Sequence, residues 1–254
     1  MAKLRPVQHE DHLTVVEHLD ELRTRLVVSV AAFVVAGAFC FWQNHLIFDI
    51  ANAPLEGKKP VTLGVAESFM TTATLSAYAA ILISLPVILF QLYAFVLPAF
   101  SPTERRVTLP LLLLVPILFV SGVVFGYYVV LPPALEFLLN FNTDEFNQLI
   151  RARDYYSFVS LTLVSMGILF QVPIGILALT RLGVVTPRQL RRNRRYAVVA
   201  MAVLAALLPS LDPITMLIEM VPLLLLYEGS ILLASAFGRP PAEVSERLAP
   251  AEGS

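Results

Sequence analysis

Apolar residues fall in long, nearly unbroken blocks along this chain, and short polar stretches between the blocks carry most of the charge. A helix that crosses the hydrocarbon core of a bilayer needs about 20 predominantly apolar residues. Six blocks predict helices over about 26–42, 69–96, 107–131, 156–179, 197–208 and 214–237, the last two read as shorter than usual. Trp42 at the far end of the first block suits an interfacial anchor. A polar, proline-bearing loop from Gln43 to Glu67 follows it, and a second polar loop runs from Asn140 to Asp154. Pro86 falls inside the second block, Pro98 at its exit, and Pro132-Pro133 is read as the stop of the third. Near the C-terminus, Pro209-Ser-Leu-Asp-Pro213 is strong turn chemistry, so the apolar sequence around it reads as two helices rather than one broken segment. Short spans thin the bilayer locally or pack deep against their neighbours. The pattern predicts an all-α integral membrane fold, residues 1–238 forming one six-span domain and 239–254 a disordered cytoplasmic tail.

Composition agrees. Of 254 residues, 57% are hydrophobic and 15% charged, and mean hydropathy is +0.75. Soluble domains carry about 25% charged residues, so this chain has too little polar surface to dissolve as a globule. The single cysteine, Cys40, excludes an internal disulfide and a multi-cysteine metal site, and its apolar setting predicts a packed hydrophobe. Acids, histidines and arginines precede the first block, which does not look like a cleavable signal peptide and is expected to be retained.

The positions of charge set the topology. With both termini in the cytoplasm, fourteen of the eighteen lysines and arginines fall on the inner side, leaving Lys58, Lys59, Arg151 and Arg153 outside. The positive-inside rule therefore predicts N-in, C-in. The basic stretch from Arg188 to Arg195 reads as a topology anchor, with anionic lipid binding as the sharper alternative.

Two charged stretches stand at span ends: Glu17-His-Leu-Asp-Glu-Leu-Arg-Thr-Arg25 and Ser101-Pro-Thr-Glu-Arg-Arg106. Read as a helix, residues 13–26 carry a leucine and valine stripe with Glu17, Asp20 and Glu21 on the neighbouring face, and Glu21 stands four residues before Arg25, the favourable order for an ion pair. An amphipathic lead-in lying on the membrane surface accounts for the same pattern. In the second stretch, Ser101 or Thr103 can cap the third helix and Glu104 suits its positive end. Deeper in the chain, Gln171 lies mid-span, and Glu219 and Glu228 lie nine residues apart in the last span, on opposite sides of one helix. A charge at the bilayer centre costs about 2.5–3.5 kcal/mol on insertion scales, so Glu219 is expected to face protein, face a water-filled cavity or be protonated, and Glu228 to sit near the interface.

Enzyme signatures do not appear in the sequence. The four histidines, His9, His12, His18 and His45, lie outside the apolar blocks, and there is no HExxH motif, no serine–histidine pair within a span and no glycine-rich phosphate loop. Broken helices, Pro86 and Glu219 would suit a secondary transporter of a small solute, but that reading shows no internal repeat and leaves the acidic stretches unexplained.

The order and spacing of several pieces resemble the TatC family, the multi-span core subunit of the twin-arginine protein translocase. They are His18-Leu-Asp-Glu-Leu-Arg23, Pro86-Val-Ile-Leu-Phe-Gln91, Phe95-Val-Leu-Pro-Ala-Phe100, Glu104-Arg-Arg106, Phe170-Gln-Val-Pro173, the turn through Asp212, and Pro222 with Leu226-Tyr-Glu228. The resemblance runs from about Val16 to Phe237 and implies six spans, N-in and C-in, in a concave, glove-like arrangement in the bacterial cytoplasmic (inner) membrane. It implies a receptor that binds twin-arginine signal peptides of folded cargo, works with TatA- and TatB-type single-span subunits, self-associates in a receptor complex and draws on the proton-motive force, with no cofactor and no nucleic acid. Carried over by position, Glu21 and Glu104 would receive the arginine pair, with Arg23 and Phe95 serving recognition or site shape. Pro54, Tyr127 and Asp212 match outer-side positions linked to transport or assembly. Many members have glutamate where this chain has Gln171, which keeps polarity and loses charge; Glu219 is a candidate replacement.

Overall fold

A computed structural model describes residues 15–55, 57–96, 113–145, 149–207 and 213–237. The described residues are almost entirely helical: α1 (Val15–Trp42), α2 (Asn44–Asn52), α3 (Glu67–Val96), α4 (Leu114–Phe125), α5 (Leu131–Asn140), α6 (Ala152–Leu169), α7 (Val172–Arg181), α8 (Pro187–Arg192), α9 (Arg194–Leu207) and α10 (Pro213–Phe237). Five helical runs are long and apolar enough to cross a membrane: His18–Trp42, Glu67–Phe95, Leu114–Asn140, Ala152–Arg181 and Pro213–Ala236. The expected fifth span is α9, with 14 residues. At 1.5 Å per residue it reaches about 21 Å, short of a ~30 Å core. The expected sixth, α10, has 25 residues and is not shortened.

Helices α1 and α3 run side by side through small residues: Ala36 and Cys40 on α1 pack against Ala80 on α3. Cys40 is thus the buried hydrophobe expected. The other face of α1 is open, with Val34, Val35 and Trp42 more than half exposed. Such an apolar exterior suits hydrocarbon and not water. α3 in turn packs on α6, which also receives α4, so α6 is the most enclosed span. A second core, around Met166, Met201, Leu223 and Ile231, joins α6, α9 and α10.

Three segments differ from the expectation. The third span does not stop at Pro132-Pro133; the helix continues to Asn140 through a π-helical turn, Gly126–Val130. Both prolines stand in the first turn of α5, where an N–H without an acceptor is normal, so the wider turn lets the helix absorb them. The fourth span, expected as one piece, is interrupted at Phe170-Gln171, because Pro173 lacks the N–H that would bond to the Leu169 carbonyl. The stretch after the first span, expected as a loop, contains α2. The chain before residue 15, the turn at 98–106, the turn through Asp212 and the tail from 238 lie outside the described residues.

Backbones come close where α4 meets α6. A Cβ on Gly122 would lie 2.6 Å from the Met166 carbonyl oxygen, and one on Gly167 2.5 Å from the Phe119 ring. Small residues let helices in lipid approach by packing alone, since apolar burial gives no advantage there.

Candidate functional site

The end of the bundle formed by the start of α1 and the end of α3 carries a compact polar cluster. Glu21 and Arg25 are one turn apart on α1. The Arg25 guanidinium donates from Nε (3.0 Å) and Nη2 to Glu21 Oε1, and from Nη1 to Gln91 Oε1 on α3 at 2.9 Å. A planar fork can serve two acceptors at once, which is why an arginine can tie the two helices together here. The other carboxylate oxygen, Oε2, lies 3.6 Å from His18 Nδ1. His18 in turn stacks on Phe95 of α3, ring centroids 4.2 Å apart and planes 14° from parallel. Glu21 and Arg25 both keep about a quarter of their side chains exposed, so the carboxylate is fixed by protein yet reachable by a ligand.

Of the four residues expected to form the peptide site, the structure joins Glu21 and Phe95 through His18. Arg23 is exposed on another face of α1. Glu104 lies outside the described residues. Gln91, inside a motif already singled out, emerges as the α3 acceptor that holds Arg25; spacing along one helix gives no sign of a contact 66 residues away.

At the opposite end, three tyrosines hold the last turn of α2. Tyr127 donates to the Ile50 carbonyl (2.8 Å), Tyr155 to the Ala51 carbonyl (2.6 Å) and Tyr156 to Asn52 Oδ1 (2.8 Å). Tyr127 and Pro54 therefore come together, and both line a cavity of about 720 Å³ with Tyr128, Lys58 and Glu136. Asp212 lies outside the described residues.

Within the spans, Gln171 caps the start of α7 and is buried; its amide donates to the Val115 carbonyl on α4 at 3.2 Å, while its own Oε1 has no partner among the described residues. Glu219 on α10 is wholly buried and so faces protein. Glu228 sits on the opposite side of that helix, half exposed, 2.7 Å from Arg194. An ion pair so exposed contributes about 0–1 kcal/mol. The basic stretch runs from α8, started by a capping box between Thr186 and Gln189, into the first residues of α9, with its arginines exposed.

One charged pair was not legible in the sequence. Glu67, buried at the start of α3, accepts from the backbone N–H groups of Leu63 (2.8 Å) and Gly64 (2.9 Å) and from Arg151 Nε (2.8 Å). Donating to the Glu67 carboxylate holds the Arg151 guanidinium above its already high pKa, so it stays charged throughout the accessible pH range. Beside it, Val61 bridges to the backbone around Arg151, through Val61 N–H to Ile150 (2.8 Å) and Ala152 N–H to Val61 (2.8 Å). Both charges stand at span boundaries, the one signal the sequence offered.

A protein-family model described as Sec-independent protein translocase protein (TatC) matches residues 17–222. The Sec-independent protein translocase protein TatC of Desulforapulum autotrophicum is 34% identical over 247 residues, covering 95% of this chain and 92% of that protein. The TatC of Aquifex aeolicus is 36% identical over 239 residues, covering 91% and 98%. The chloroplastic TATC of Arabidopsis thaliana is 36% identical over 233 residues, covering 91% and 68%. A crystal structure described as the twin arginine translocase receptor TatC superposes with a TM-score of 0.75 at 37% identity, covering 88% of this chain and all of that one.

Proposed function

The chain belongs to the TatC family of Sec-independent protein translocase proteins, and we propose that it is the signal-peptide receptor of a twin-arginine translocase. The family is one of membrane translocase components, not enzymes and not small-solute transporters. The observation that carries the reading is the Glu21 carboxylate: Arg25 holds one oxygen, and the other faces His18 and Phe95 at a partly exposed helix end. An incoming arginine meets there an oriented acceptor beside an aromatic wall. Two adjacent arginines need two acceptors, and Glu104, on the connection between α3 and α4, is the second. The orientation is N-in and C-in, with α9 and α10 as the fifth and sixth spans of a bacterial inner-membrane protein. TatA- and TatB-type subunits are its partners.

The test is titration of a twin-arginine peptide into the purified protein in nanodiscs. Glu21→Ala and Glu104→Ala should each weaken binding by about 2–5 kcal/mol, because an arginine is left without its partner in a desolvated site. Glu56→Ala should leave it unchanged. A peptide with Lys-Lys in place of Arg-Arg should bind more weakly, since an ammonium is a point charge without the bidentate fork. Equal effects of all three substitutions, or indifference to the lysine swap, would remove the site.

A further inference from the structure

We propose that the slot between the start of α3 and the start of α6 is a binding site for the headgroup of an anionic phospholipid. This slot has a volume of about 650 Å³ and lies at the end of the bundle opposite the His18–Phe95 stack. Its mouth carries Arg151 and Arg153. Glu67 engages only Nε of Arg151, and that side chain remains 41% exposed, so its terminal amino groups are available to a ligand. Arg153 is exposed. Down the wall stand Thr71, Thr74 and Tyr78 of α3, with apolar neighbours between them. Thr71 is nine-tenths buried, and its hydroxyl has no hydrogen-bond partner among the described residues.

Depth distinguishes the ligand. Tyr78 is eleven residues past the start of α3, about 16 Å into the span at 1.5 Å per residue. The slot is thus cationic at the membrane boundary and lined below it by hydroxyls interleaved with Met70 and Leu75, a wall that can take both the glycerol region and the start of an acyl chain. Arginine forks bind phosphate oxygens in parallel, and at a membrane boundary the concentration of that ligand is set by the bilayer itself. A free phosphate would satisfy the arginines but leave the deeper wall without a partner. The Glu67 carboxylate limits the site to a monovalent headgroup phosphate: it neutralises part of the charge while fixing Arg151 in place.

The experiment is native mass spectrometry of the whole protein released from detergent, with phosphatidylglycerol, phosphatidylcholine or inorganic phosphate added in separate arms. Phosphatidylglycerol should be retained in preference to phosphatidylcholine, and inorganic phosphate should not displace it. Arg153→Gln, which removes a charge with no described partner, should lower retention about tenfold, the order expected for one charge-assisted hydrogen bond. Thr71→Val keeps the side-chain volume and should lower it less. Lys59→Gln, which removes an exposed charge that does not line the slot, should change nothing. Equal retention of the two lipids, equal loss in Arg153→Gln and Lys59→Gln, or displacement by phosphate would each overturn the assignment. None of these readouts depends on a signal peptide, so the receptor reading stands or falls separately.

Discussion

His18 lies flat against Phe95, one ring from the first span on one ring from the second, with centroids 4.2 Å apart. The stack sits one turn from Glu21 and flanks the carboxylate oxygen that Arg25 leaves free. Phe95→Ala removes the wall without touching the Arg25–Gln91 tie. Aromatic pairs contribute about 0.5–1.5 kcal/mol beyond their buried area. Loss of the stack should destabilise the fold by that amount, and loss of the ring as a cation–π wall for an incoming arginine, about 0.5–1 kcal/mol at an exposed site, should lower twin-arginine peptide affinity roughly two- to fivefold. An unchanged peptide titration would show that the ring serves only helix packing.

The α4–α6 crossing should tolerate no added methyl. Gly122→Ala would drive a Cβ to within 2.6 Å of the Met166 carbonyl, a backbone atom that cannot rotate away. Overpacking of this kind costs about 1–3 kcal/mol. Gly175→Ala, in α7 with nothing within 4 Å of the new atom, should be neutral or stabilising by up to about 1 kcal/mol. Melting curves of the two variants, measured side by side, check the contrast.

The tyrosine brace on α2 gives a graded pair. Tyr155→Phe leaves the Ala51 carbonyl without its 2.6 Å donor in a buried setting and should destabilise by about 1–3 kcal/mol. Tyr127→Phe removes an exposed bond to Ile50 and should cost less, about 0.5–1.5 kcal/mol. Hydrogen exchange of residues 44–52 should rise in both, more in the first, because these bonds hold the end of that helix.

Gln171 separates structure from function. Gln171→Leu deletes one long hydrogen bond to Val115 but also removes a buried oxygen with no described partner. The two effects oppose each other, and stability should stay within about 1 kcal/mol of the parent. If this side chain recruits a partner subunit, co-purification of TatA- or TatB-type proteins should drop in the same variant. Loss of stability together with co-purification would assign it a packing role instead.

The sequence by itself located the five long apolar helices, though not all of their ends, because the need for apolar length across a bilayer is local and additive along the chain. It also determined the Glu21–Arg25 pair, which one helical turn dictates. Cys40 as packing follows from the same local patterns. Only the tertiary structure decided which distant groups meet. Gln91 on Arg25, His18 on Phe95, Tyr127 on Ile50 and Glu67 on Arg151 are separated by 66 to 84 residues. No spacing rule reaches across antiparallel helices, since their relative rotation is set by how ridges and small residues fit. The continuation past Pro132-Pro133 belongs here too: proline signals a lost hydrogen bond, but whether the helix ends or widens into a π turn depends on the packing around it.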